Sequence, residues 1–121
     1  MAKVLIIDDD ENNRLLLATL LRHASHTPLE ASKGIPGAAL AAAEKPDLIV
    51  VDLSLPDISG VDLLRRLRSD SRTANATIAL YTATKEAAAL DELVELYNIG
   101  GIIPKPGDPR QILAEFERLI G

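Results

Sequence analysis

The sequence predicts an α/β fold, a doubly wound five-stranded parallel sheet with five helices. Three observations lead there. Short apolar runs alternate with amphipathic segments five times along 121 residues. The runs are unbroken rather than alternately apolar and polar, as strands buried on both faces require. Repeated strand–helix units imply parallel pairing through right-handed crossovers, with helices on both sides of the sheet.

The first strand is residues 4–7, all aliphatic. A first helix follows Asp10, a residue type suited to the N-cap, and carries the stripe Leu16, Leu17, Leu20 and Leu21. Residues 27–31 form the weakest run and read as an edge strand. The second helix, around residues 37–44, is alanine-rich, follows Gly34, Pro36 and Gly37, and is ended by Pro46. It is expected to be the least firmly anchored of the helices. Residues 48–51 are the third strand. Val61, Leu64 and Leu67 stripe a third helix, opened by Ser59 with Asp62 three residues later. Residues 69–76 are the longest loop candidate. The fourth strand is residues 78–81, and the fourth helix carries Leu90, Leu93, Val94 and Tyr97. Gly100-Gly101 turns into the fifth strand, residues 102–103. The last helix opens on Asp108-Pro109-Arg110-Gln111, with an acid at the N-cap, proline at N1 and glutamine at N3. Its stripe is Ile112, Leu113, Phe116, Leu119 and Ile120.

Composition removes several function classes. The length suits about one domain, and such a chain buries roughly two-thirds of its unfolded surface, enough for a real core. The net charge of −5 leaves no electrostatic footprint for nucleic acid or an anionic membrane. One Phe, two Tyr and no Trp offer no platform for stacking bases. Without cysteine there is no disulfide scaffold, thiolate nucleophile or cysteine zinc site. His23 and His26 lack the spacing of a zinc-protease motif. The longest uncharged apolar stretch, residues 38–43, is far short of a membrane span. Met1-Ala2-Lys3 leads into an apolar run too short for a signal peptide, so a cytoplasmic location is expected.

The chemistry lies at the strand ends. The first run ends in Asp8-Asp9-Asp10, the third in Asp52, the fourth in Thr82, and the fifth in Pro104-Lys105-Pro106. In open α/β sheets ligands bind outside the carboxyl ends of the strands, where the strand order reverses. In the flavodoxin-like order 2-1-3-4-5 the first and third strands flank that point. Carboxylates, a hydroxyl and an ammonium would then meet in one crevice. Carboxylates at close range need a counter-ion, and hard oxygen ligands with open positions suit Mg²⁺. A carboxylate can attack phosphorus to give an aspartyl phosphate, and phosphoryl transfer then needs positioning and neutralisation of the equatorial oxygens.

With those residues the sequence resembles the receiver domains of two-component response regulators, along its whole length. Val4-Leu5-Ile6-Ile7-Asp8-Asp9 is similar to the family's first strand and acidic pair. Asp52-Leu53-Ser54-Leu55-Pro56-Asp57-Ile58-Ser59-Gly60 is similar to its phosphoacceptor loop. Tyr81-Thr82-Ala83 resembles its fourth-strand hydroxyl followed by a small residue, and Gly101-Ile102-Ile103-Pro104-Lys105-Pro106 its fifth strand and Lys-Pro. Residues 1–121 are accordingly expected to be one receiver domain. The resemblance implies that Asp52 is the phosphoacceptor, Asp9 a direct Mg²⁺ ligand and Asp8 a holder of metal-bound water. The backbone carbonyl of Ser54 would be a further ligand, with Thr82 and Lys105 contacting the phosphoryl group. The Lys105–Pro106 bond is often cis in the family. A switch aromatic commonly stands three residues before the lysine, but here Ile102 takes its place, so aromatic rotation cannot report phosphorylation.

The implied function is Mg²⁺-dependent phosphoryl acceptance from a histidine kinase or histidine phosphotransfer protein. The output would pass through contacts with a downstream effector or with further domains of a longer chain, and through a phosphorylation-dependent dimer. Neither nucleic acid nor membrane is an expected partner. The fourth helix, fifth strand and fifth helix would form the readout surface, and the first helix would dock the kinase. No DNA-binding module follows the fifth helix, so a stand-alone receiver and a piece of a longer regulator both remain open. Three other readings stand beside this one. An aspartyl-phosphate phosphatase would require Asp-x-Asp followed by Thr or Val, and the Thr or Val is missing. A receiver-like module that only binds would not need all the site residues that are present. A flavin-binding protein would need a Ser/Thr-rich loop after the first strand. Outside the site, Asp10 reads as a helix cap and Asp57 as a loop-turn or helix-start residue. Arg65, Arg66 and Arg68 read as a solvated face, and His23 and His26 as surface residues at a helix end.

Overall fold

The computed structural model describes residues 1–84 and 86–121. The elements run β1 (Lys3–Ile7), α1 (Glu11–His23), β2 (Thr27–Ala31), α2 (Gly34–Glu44), β3 (Leu48–Asp52), α3 (Gly60–Ser69), β4 (Thr77–Thr82), α4 (Ala87–Tyr97), β5 (Gly101–Pro104) and α5 (Pro109–Ile120). The strands pair in parallel in the order β2-β1-β3-β4-β5, as the sequence predicts.

The unbroken apolar runs are explained by two cores, one on each face of the sheet. Val4, Ile6, Leu48, Val50, Ala79, Tyr81 and Ile103 point to one side, against Leu17 and Leu21 of α1 and Ile112 and Phe116 of α5. Leu5, Ile7, Ile49, Val51, Ile78 and Leu80 point to the other, against Ala41 of α2, Leu63, Leu64 and Leu67 of α3, and Leu90 of α4. Successive strand residues alternate between faces, and because both faces are covered neither set can be polar. The edge strand β2 is only half-buried, which accounts for its weaker pattern.

Helix starts follow the caps. Asp10 accepts hydrogen bonds from the Asn12 and Asn13 amides, Ser59 from Asp62 and Asp108 from Arg110, with Pro109 opening α5. The helix α2 differs from expectation at its start and in its anchorage. It begins at Gly34, three residues early, because Asp57 caps it from the distant β3–α3 loop. The two Asp57 carboxylate oxygens accept the Gly34 and Ile35 amides at 2.8 Å each, and those donors hold the Asp57 carboxyl below its ordinary pKa. A Cβ at Gly34 would come within 2.2 Å of Ile58, and one at Gly37 within 2.7 Å of Ile7, so only glycine allows this approach. The least anchored helix is instead α4, which buries only Leu90 and has no side-chain cap.

Two readings of surface charge are also overturned. Arg68 is not part of a solvated face. Its guanidinium donates to the carbonyls of Tyr97 at 2.7 Å, Ala74 at 3.0 Å, Ala76 at 2.7 Å and Asn98 at 3.1 Å. It thereby ties the loop after α3 to the end of α4. The five donors of a guanidinium suit this task, and no ammonium could replace it. His26 is a joint rather than a surface residue, its side chain 8 % exposed. Its Nδ1 accepts the Ala2 amide at 3.0 Å and its Nε2 donates to Glu117 at 2.9 Å, linking β1 and β2 to α5.

Truncation of Arg68 leaves four carbonyls without their donor, whereas Arg66 is exposed beside it. Arg68→Ala is expected to lower the unfolding free energy by about 2–3 kcal/mol in urea titration. Arg66→Ala is expected to change it by less than about 0.5 kcal/mol. Equal effects would contradict the tie.

Candidate functional site

The parallel register brings the acidic strand ends together. Ile7 of β1 pairs with Val51 of β3, so Asp8 and Asp52 follow one another's neighbours at the carboxyl edge of adjacent central strands. Both are buried, 1 % and 5 % exposed. One carboxylate oxygen from each of Asp8, Asp9 and Asp52 lies within 4.8 Å of the other two. Asp9 is exposed. Asp10 stands apart from this group because its carboxylate caps α1.

Each carboxylate is held by nearby donors. Asp8 Oδ1 accepts the Asp10 amide at 2.9 Å, and its Oδ2 accepts Asn13 Nδ2 at 3.3 Å. The carbonyl of Asp8 accepts from Arg14 at 2.7 Å. Asp52 Oδ1 accepts the Ser54 amide at 3.0 Å. The Lys105 ammonium bridges the pair, 2.9 Å from Asp8 Oδ2 and 3.4 Å from Asp52 Oδ1. Lys105 is carried there by the turn after β5, where its amide donates to the carbonyl of Thr82 at 2.9 Å. The Lys105–Pro106 peptide is cis. Thr82, 6 % exposed, ends β4, and its hydroxyl oxygen accepts the Thr84 amide at 3.1 Å. That leaves the hydroxyl proton for donation into the cleft. Asp8, Asp9, Asp52, Thr82 and Lys105 thus share one end of the sheet, with Ser54 two residues past Asp52 and exposed.

The electrostatics are those of a crowded anionic pocket. Burial pushes the Asp52 carboxyl up to about 6, and the Asp8 charge adds to this, against the Ser54 amide and Lys105. Burial also works against the charged form of Lys105, but Asp8 and Asp52 outweigh it and hold the ammonium above its ordinary value. Tyr81 is raised, first by burial. Three oxygens at this spacing, two of them on buried carboxylates, match what a small hard cation needs.

A sequence profile of the response regulator receiver domain matches residues 4–117. The chain belongs to this family. The receiver is 34 % identical over 99 % of its length to the DNA-binding dual master transcriptional regulator RpaA of Synechocystis. It is 34 % identical over 97 % of its length to the phosphate regulon transcriptional regulatory protein PhoB of Pseudomonas aeruginosa. It spans about half of each, 49 % and 51 %. Among solved structures it resembles the chemotaxis response regulator CheY4 of Vibrio cholerae, with a TM-score of 0.91 at 25 % identity over 98 % of both chains. Receiver domains serve two-component systems as signalling domains that interact with histidine kinases or phosphotransfer proteins. Among the described residues no helix is long and apolar enough to cross a membrane.

Sequence reading missed three participants. Asn13 reaches Asp8 from the first turn of α1, and its spacing of three from Asp10 is the signal that puts it at the same helix end. Arg14 follows it and also pairs with Glu30 at 3.3 Å. Tyr81 lies with its ring centroid 4.6 Å from the Lys105 ammonium, and no local spacing links those two residues.

The raised Asp52 pKa carries a sign. A carboxyl whose folded pKa exceeds its unfolded value of 3.8 costs stability when ionised, above about 6, and the cost fades as pH falls. Asp52→Asn is therefore expected to stabilise the metal-free protein at pH 7.5 by about 1–2 kcal/mol after allowance for solvent screening. The gain should vanish near pH 4. A destabilised variant at pH 7.5 in thermal or urea unfolding would contradict this electrostatic picture.

Proposed function

We propose that residues 1–121 act as one receiver unit that accepts a phosphoryl group on Asp52 in an Mg²⁺-dependent reaction. The observation that carries this reading is the convergence of Asp8, Asp9 and Asp52 with Lys105 at one strand edge. Asp9, Asp52 and the carbonyl of Ser54 would hold the ion directly, and Asp8 its water. Bound there, Mg²⁺ would supply Lewis-acid neutralisation of phosphoryl oxygens.

The protein's own groups do the rest. A carboxylate oxygen of Asp52 forms a bond to phosphorus while the bond from phosphorus to the donor breaks, and the electron pair leaves with the donor. The Ser54 amide holds Oδ1 of Asp52 and fixes the carboxylate plane. Lys105 follows the developing charge as a point cation, and the Thr82 hydroxyl donates to a second oxygen. This is self-catalysed modification of Asp52 rather than turnover of a substrate.

The donor is a histidine kinase or histidine phosphotransfer protein in the cytoplasm. Phosphorylation replaces the single negative charge of the Asp52 carboxylate with a phosphoryl group of about −2 that carries three acceptor oxygens. Drawing Lys105 and Thr82 onto them biases a two-state equilibrium at the carboxyl ends of β4 and β5. The output goes to a downstream effector, a second phosphorylated copy or further domains of a longer chain.

Incubation with Mg²⁺ and acetyl phosphate, read by intact mass, tests the reading. The expected result is one phosphoryl group on the wild type and none on Asp52→Asn or after chelation of the metal. Label that persists in Asp52→Asn, or a wild type that takes none, would overturn it.

A further inference from the structure

The Lys105 ammonium has a neighbour besides the carboxylates: its Nζ sits 4.6 Å from the centroid of the Tyr81 ring, within cation–π range. Tyr81 is 2 % exposed and packed in the core with Ile103, Ile112 and Phe116. The strand register places it between Asp52 of β3 and Ile103 of β5. The ring is therefore a fixed wall, whereas Lys105 is a compact charge on a flexible four-carbon stem. The other contacts of the ammonium are to Asp8 and Asp52, the two carboxylates whose charge a cation and a phosphoryl group would engage. Once those anions turn to other partners, their hold on Lys105 weakens. The attraction of the ring face does not depend on their charge.

We propose that Tyr81 is a positioning residue for Lys105, its ring keeping the ammonium at the mouth of the cleft while the carboxylates exchange it for a cation and a phosphoryl group. This rests on the reading of Lys105 as the phosphoryl-contacting cation. The effective part is the ring face and not the hydroxyl, so Tyr81→Phe retains it. Tyr81→Leu keeps an apolar side chain in the core and removes the face.

Two measurements decide the matter. The first is the NMR position of the Lys105 side-chain resonances, assigned by their loss in Lys105→Arg. The second is the rate of phosphorylation by acetyl phosphate at saturating Mg²⁺, with the Mg²⁺ dissociation constant measured beside it. In the wild type and Tyr81→Phe the resonances are expected upfield, shifted by the ring current, with equal rates. In Tyr81→Leu the upfield shift is expected to be lost and the rate to fall by about fivefold with the dissociation constant unchanged. Tyr81→Met carries the same expectation if the leucine variant does not fold. A leucine variant as fast as wild type, a phenylalanine variant as slow as the leucine variant, or a slowing explained by weaker Mg²⁺ binding would each overturn the proposal. A wild type that takes no label would overturn the reading of the cleft itself, and with unshifted Lys105 resonances the contact as well.

Discussion

Two carboxylates buried side by side at the ends of β1 and β3 are the constraint around which this receiver is arranged. Burial and the neighbouring Asp8 charge both oppose ionisation of Asp52. A pair of this kind persists only if a positive charge is close, because an unpaired buried charge is more costly than either hydrogen bond lost. The Lys105 ammonium meets that need from across the sheet. The chain has to run through all five strands before that charge arrives, so the site depends on the completed topology.

The rest of the structure limits movement around that cluster. Asp8 is tied to the amide after next, to α1 through Asn13 and through its carbonyl to Arg14. The loop after Asp52 is pinned at its far side, where Asp57 caps α2 and Gly34 gives Ile58 room to pack. Among the described residues no buried side-chain nitrogen or oxygen lacks a partner. The less restrained parts lie toward α4, whose exposed first turn follows Thr82 and Thr84. A change in charge at the cleft would therefore meet a stiff wall at the central strands β1, β3 and β4 and a softer one at α4.

The sheet and its order were legible because both faces are apolar, which leaves continuous runs in the sequence, and because four of the five helices carry an apolar stripe. The strand-end acids, Thr82 and Lys105 were legible for a topological reason, since in a parallel sheet all carboxyl ends share one edge. What was not legible is long-range satisfaction of backbone groups. Asp57 looks like a turn residue and caps a helix more than twenty positions away, which moved the start of α2. Arg68 sits in a run of arginines, yet its guanidinium serves carbonyls as far away as Asn98. His26 lies at a helix end, but the tertiary fold seats Glu117 against it. Alanine content pointed to a weak α2, whereas small residues there let the helix approach the sheet closely. Each miss turns on a partner distant in sequence, where periodicity has nothing to say.

The balance of charge in the cleft is tested most directly by removing its cation. Thermal unfolding of Lys105→Met at pH 7.5, with and without Mg²⁺, separates the possibilities. The expected result is a midpoint well below that of the wild type in metal-free buffer, and a rise on adding Mg²⁺ larger than the wild type shows. A variant as stable as the wild type without metal, or one that gains nothing more from Mg²⁺, would contradict the account.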